Sequence, residues 1–183
     1  GAVGVDGVNG SEHDLDAVEL VACARYVGGE MKVHPQADLC VKLVDESVME
    51  VLHRQWMDLP GPTDVMSFPM DELRPGRDGQ EPADGVLGDI VLCPSVAARQ
   101  AVEAGHATEV ELLLLLPHGI LHLLGYDLSE PEPKRELFEL QRTLLLTFLA
   151  GRGPRAVILT EAPLTRIVMN PGLAALVSIL VTF

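Results

Sequence analysis

The chain is poor in aromatic residues, with four Phe, two Tyr and one Trp in 183 positions. A core made from it must be filled mainly by Leu, Val and Ala. Cysteine is scarce too: Cys23, Cys40 and Cys93 are far apart, odd in number and form no C-x-x-C pair. That argues against a disulfide framework and against a thiolate zinc site. Each thiol reads instead as a small buried hydrophobe in a reducing compartment. Basic side chains are outnumbered, 13 against 27 acidic ones, for a formal charge of −14. An evenly acidic surface repels polyanions, which excludes indiscriminate phosphate binding. A nucleic-acid enzyme with one local cationic or metal-bearing cleft stays open. No apolar run reaches the roughly 20 residues of a membrane-spanning helix. Residues 1–10 show neither the basic nor the apolar segment of a secretory signal. The expectation is a cytoplasmic protein whose main part stays off the membrane.

Hydrophobic residues make up 48% of the chain, enough for the core of one domain. Residues 1–12 are Gly-rich and acidic and read as a loose start. A helical period runs from Asp14, a candidate cap, to Met31, and Gly28-Gly29 weakens its end. Asp38 to Asp45 reads as a strand and Ser47 to Met57 as a helix, stopped by Leu59-Pro60-Gly61-Pro62. A short strand, Asp64 to Phe68, precedes a Pro- and Gly-bearing loop over 69–85. Val86 to Leu92 is a strand again, and Pro94 opens a helix to about Ala104. Thr108 is placed to cap a helix over Glu109 to Leu124, and Ser129 to Ala150 gives another. This order predicts an α/β (or α+β) fold, a small mixed sheet covered by helices, in residues 13–150. The tail, 151–183, differs in character. Its apolar stretch Leu173 to Phe183 suits either an extra strand or the start of a membrane segment.

The chemistry concentrates at His118-Gly119-Ile120-Leu121-His122, inside a leucine-rich helix. The i, i+4 spacing puts both imidazoles on one helix face, as in zinc-binding helices. For a bare H-x-x-x-H, two histidines with ordinary hydrogen bonds are the competing account. Gly119 stands where a zinc peptidase of the H-E-x-x-H kind needs its general base, which weakens a protease reading. Glycine there permits close approach of backbone or substrate.

The stretch His118 to Asp127 resembles the signature of the YbeY family, H-G-x-L-H-L-x-G-Y-D-H. Ten of the eleven positions agree, free places counted. Thr63-Asp64-Val65-Met66-Ser67-Phe68-Pro69 is similar to the family's T-(D/N)-V-L-S-F-P strand, and Leu87 to Val91 to its G-D-I strand. Order and spacing agree from about Asp14 to Ala150, and the wording of Trp56 to Arg77 looks actinobacterial.

The resemblance implies a zincin-like metal-dependent hydrolase, a zinc-dependent endoribonuclease cutting single-stranded RNA in 16S ribosomal RNA 3′-end maturation and ribosome quality control. It implies one Zn²⁺ on three histidines, and as partners ribosomal RNA, the 30S subunit and a ribosome-assembly GTPase. His118 and His122 fill two ligand positions, and the third is Leu128, which cannot ligate. Asp127 and Glu130 are the nearby carboxylates and the candidates to substitute for it. Pro117 is expected either to kink the ligand helix or to start a new one. Met57 stands at the family's basic position, one helical turn from Arg54, which is the candidate to supply that charge.

Asp89 is the candidate to position water, against a role capping nearby N–H groups. Ser67 is offered to a phosphate or, more simply, to backbone. Arg54, Arg74, Arg77 and Arg99 are candidates to neutralise RNA phosphates. Tyr126 suits a base stack or a place in the core. Three readings follow: an active ribosomal-RNA endonuclease, a catalytically weakened relative that binds ribosome or assembly factors, and a metal-dependent hydrolase of another substrate.

Overall fold

A computed structural model describes residues 3–7, 17–126, 131–152 and 176–183. Five strands and five helices occur in the order β1 (Val3–Gly7), α1 (Ala17–Glu30), β2 (Asp38–Val44), α2 (Glu46–Met57), β3 (Val65–Pro69), β4 (Val86–Leu92), α3 (Pro94–Ala104), α4 (Thr108–Leu123), α5 (Pro131–Arg152) and β5 (Leu176–Thr182). The strands form one mixed sheet in the order β1-β5-β2-β4-β3. β2 and β4 are parallel and the other pairings antiparallel.

Both faces of the sheet are covered, and strand alternation decides which residue meets which layer. Leu39, Val41 and Leu43 of β2, with Leu87, Ile90 and Leu92 of β4, pack into the larger core with α1, α4 and α5. Val44, Met66 and Val91 point the other way and meet Met49 of α2. The α/β expectation holds, and helix and strand limits between residues 38 and 104 fall close to those read from periodicity.

Four expectations need correction. Residues 3–7 are not a loose start but an edge strand, held by antiparallel pairing to β5. Pairing with a strand more than 170 positions away leaves no local trace. The apolar tail contributes β5, which pairs β2 from Asp38 to Val44, so the sheet reaches beyond residues 13–150 on both sides. Thr108 is not the cap of α4: Ala107 holds that position, and no side chain caps it. Pro117 does not start a new helix, since α4 runs unbroken from Thr108 to Leu123. The carbonyl that Pro117 leaves without its i+4 amide is that of Leu113. It accepts a hydrogen bond from the buried Cys23 thiol of α1, at 3.9 Å. Asp14 lies outside the described residues. Among the described residues, no helix is long and apolar enough to cross a membrane.

Candidate metal centre and its cleft

α4 lies against β3 and β4 closely enough that a Cβ on Gly119 would stand 3.1 Å from Ile90 and from Ser67 Oγ. Glycine here serves the approach of helix to sheet, and the Ser67 hydroxyl donates to the Gly119 carbonyl at 3.2 Å. Immediately after the second histidine the helix ends in a Schellman turn. The Tyr126 amide bonds the Leu121 carbonyl, the Gly125 amide bonds His122, and Gly125 takes φ +95°.

His118 and His122 therefore sit on a short, fixed platform. Their rings meet edge to face with centroids 4.6 Å apart, and the two Nε2 atoms are 3.1 Å apart. Gln141 of α5, buried, presents its amide oxygen 2.8 Å from His118 Nδ1. That oxygen only accepts, so Nδ1 carries the proton, and in the neutral ring His118 Nε2 presents its lone pair toward His122. Phe138, also on α5, stacks over the His118 ring at 6.3 Å.

The pair opens into a cleft of about 510 Å³. Its other walls include His53, Trp56 and Met57 of α2 and Ser67 of β3. His53, Trp56 and Met57 are spaced i, i+3, i+4 and share one helix face. His53 Nδ1 donates to the Gly61 carbonyl at 2.9 Å, which in the neutral ring places the lone pair on Nε2.

The other candidates are dispersed. Arg54 is about 100° around α2 from His53, exposed and not part of the cleft wall, whereas Met57 is. Asp89 is neither in a turn nor beside the histidines. It lies within β4, and its neighbour Ile90 faces Gly119, so alternation sends Asp89 to the opposite face of the sheet. There its carboxylate is 3.4 Å from Lys42 Nζ. Arg99 pairs with Glu46, and Arg74 packs over Gly125 and bonds the Glu72 and Leu73 carbonyls. Arg77 is exposed. Among the described residues, no lysine or arginine lines the histidine cleft. Tyr126 packs against the main core. Asp127, Leu128 and Glu130 lie outside the described residues. Gln141 and Phe138 went unnoticed in the sequence, and His53 lies in a segment remote from the motif; for Gln141 the available signal was a polar residue on the apolar stripe of α5.

Residues 11–149 match the family model described as Endoribonuclease YbeY. The chain belongs to the YbeY family. A YbeY relative from Beutenbergia cavernae, named endoribonuclease YbeY, is 63% identical over 144 residues, 79% of this chain and 96% of that one. One of the same name from Kineococcus radiotolerans is 62% identical over 139 residues, 76% and 80% of the two chains. The solution structure of TM1509 from Thermotoga maritima superposes with a TM-score of 0.50 at 27% identity, covering 87% of this chain and 95% of that one.

A metal centre in this YbeY chain can be tested against the geometry. Two nitrogen ligands on a tetrahedral zinc, at about 2.0–2.1 Å each, stand about 3.3 Å apart. The 3.1 Å between the two Nε2 atoms fits two corners of such a centre. The Gln141 contact is the outer-shell partner that metal-ligating histidines need. Among the described residues, no group of three or more His, Cys, Asp or Glu side chains converges there. The fit is to two imidazole ligands.

Proposed function

We propose that this chain is a metal-dependent endoribonuclease that hydrolyses phosphodiesters of single-stranded RNA in ribosomal RNA maturation, in the cytoplasm. The observation that carries it is the pair of imidazole Nε2 atoms 3.1 Å apart at the foot of an open cleft, with the His118 tautomer fixed by Gln141. His118 and His122 would hold Zn²⁺. Zinc there would polarise a phosphoryl oxygen and lower the pKa of a water molecule.

The rest falls to the chain's own side chains. His53, whose neutral tautomer carries the lone pair on Nε2, stands in the cleft wall and is suited to accept a proton from a water or hydroxyl beside the scissile phosphate. The Ser67 proton is committed to the Gly119 carbonyl, so its oxygen has only lone pairs to offer. That suits a donor such as a ribose 2′-hydroxyl better than a phosphate oxygen. Asp89, paired with Lys42 on the far face, has no role at the reacting atoms. Arg54 has no direct one, and zinc held by the two histidines would be what meets phosphate charge among the described groups of the cleft.

The second reading is a catalytically weakened relative that binds the 30S subunit or an assembly GTPase. Leu128 at the third ligand position favours it. Elemental analysis of the purified chain beside a Leu128→His variant separates the two, followed by cleavage assays on single-stranded RNA, structured RNA, DNA and peptide. Near one zinc per chain with cleavage confined to single-stranded RNA supports the nuclease. Zinc only in the variant supports the binding role. Cleavage of another polymer alone supports a different hydrolase.

A further inference from the structure

Across the Trp56 ring from the histidine cleft lies a second groove, of about 590 Å³. The two share Trp56, Phe68 and Pro69 as a dividing wall. The floor of the second groove is apolar, with Val44 and Val91, except for Lys42 and Asp89. Those two are 3.4 Å apart and each is only 30% exposed. A half-buried ion pair on an apolar floor gives little net stability, because desolvation offsets its attraction. Trp56 is 61% exposed and is held edge-on by Phe68, with centroids 5.7 Å apart at 70°. It is the chain's single tryptophan. The groove thus offers an exposed aromatic surface with one donor and one acceptor beside it, and it adjoins the histidine cleft across Trp56, Phe68 and Pro69.

We propose that this groove receives one unpaired nucleobase of the RNA strand whose phosphodiester lies at His118 and His122. The base stacks on Trp56, while Lys42 donates to its edge and the Asp89 carboxylate accepts from it. The proposal rests on the RNA reading of the cleft. Single-stranded RNA is held by stacking splayed bases on aromatic side chains and by hydrogen bonds to their edges. This chain has particular need of that mode. Its formal charge is −14 and no basic side chain lines the histidine cleft among the described residues, so attraction to the phosphate backbone contributes little. Asp89 then recognises substrate without touching the reacting atoms.

Trp56 emission reports on the groove directly and without turnover. The full chain and its His118→Ala variant are titrated with a single-stranded RNA oligonucleotide. The titration is repeated with the same oligonucleotide carrying one abasic ribose, moved position by position, and binding is followed in parallel by anisotropy of a labelled strand. The expected result is a change in Trp56 emission on binding, and a single position at which the abasic ribose weakens affinity roughly 5- to 150-fold. Asp89→Asn should alter the preference among the four bases at that position while the emission change persists. Equal affinity at every abasic position overturns the proposal, as does strand binding without an emission change, or no strand binding at all. An emission change with a ribosomal protein but not with RNA overturns it in favour of a protein-docking surface. Base-dependent binding by a chain that never cleaves RNA would sink the nuclease reading and leave the groove. Cleavage indifferent to every abasic position would do the reverse.

Discussion

At the scale of single residues, the site depends on a contact that its motif does not contain. Gln141 is buried and its amide oxygen is the partner of His118 Nδ1 among the described residues. Replacing it by leucine, Gln141→Leu, strands a part-buried N–H, at a cost of about 1–3 kcal/mol in stability. It also frees the imidazole to turn or change tautomer, which should weaken zinc binding roughly 10- to 100-fold. Zinc competition against a chromophoric chelator measures the second effect and urea unfolding the first. Unchanged zinc affinity would show that α4 alone orients His118. The two histidines were legible in the sequence because their relation is local: four positions apart in a helix means one face. Gln141 was not, being 23 positions away on another helix and brought in only by packing of α5 on α4. Arg54 shows the converse. Proximity along α2 suggested it, but helical phase turns it away and places His53, Trp56 and Met57 in the cleft instead.

At the scale of elements, α4 carries a defect and a partial remedy. Proline inside a helix costs about 3 kcal/mol when nothing compensates. Here the Leu113 carbonyl that loses its amide partner is met by the Cys23 thiol, a weak donor. Pro117→Ala should therefore raise stability, by about 1–3 kcal/mol, read from the midpoint of urea unfolding. Cys23→Ala should cost less in the Pro117→Ala background than in the native chain, because the carbonyl no longer depends on the thiol. Strict additivity of the two changes would disprove the coupling.

A second tie joins α2 to α3. The Arg99 guanidinium bonds the Glu46 carboxylate and holds its pKa below the ordinary 4.5, with desolvation opposing and Ser95 assisting. A folded-state pKa that is lowered gives stability present above the unfolded value and lost as pH falls through the folded one. Glu46→Gln should accordingly flatten the acid limb of a stability-against-pH curve below about pH 4.5, and only slightly, since both side chains are well exposed. Period-2 and period-3.6 patterns gave most helices and strands between residues 38 and 123, because burial there is decided face by face. They could not tell which sheet face would receive the histidine helix, and so could not show that Asp89 points away from it. Nor could they find β1, or decide between a strand and a membrane segment for the stretch that forms β5, because both depend on pairing between opposite ends of the chain.

At the scale of the whole molecule, charge and sheet order make separate demands. A chain at −14 with no basic side chain lining its cleft among the described residues should release few counterions on binding RNA. The slope of log affinity against log salt should then be shallow, corresponding to about one or two phosphate contacts. A steep slope, measured by anisotropy from 50 to 200 mM salt, would mean that basic side chains outside the cleft engage the strand. Sheet order makes the last prediction. β1 pairs only with β5, and β5 alone joins it to β2. Ending the chain at Arg152 therefore removes two strands from the sheet and leaves β2 as an edge. It also removes the buried Val181 and takes the Phe183 ring from its seat on Gly28. The pairings that carry the site, β2 with β4 and β4 with β3, are untouched. The shortened chain should unfold at lower urea while keeping its zinc stoichiometry and Trp56 emission. The bared edge of β2 should make it self-associate as concentration rises, visible by light scattering. An unchanged midpoint would mean that β5 adds no net stability, and loss of zinc with it would mean that the sheet beyond β2 supports α4 after all.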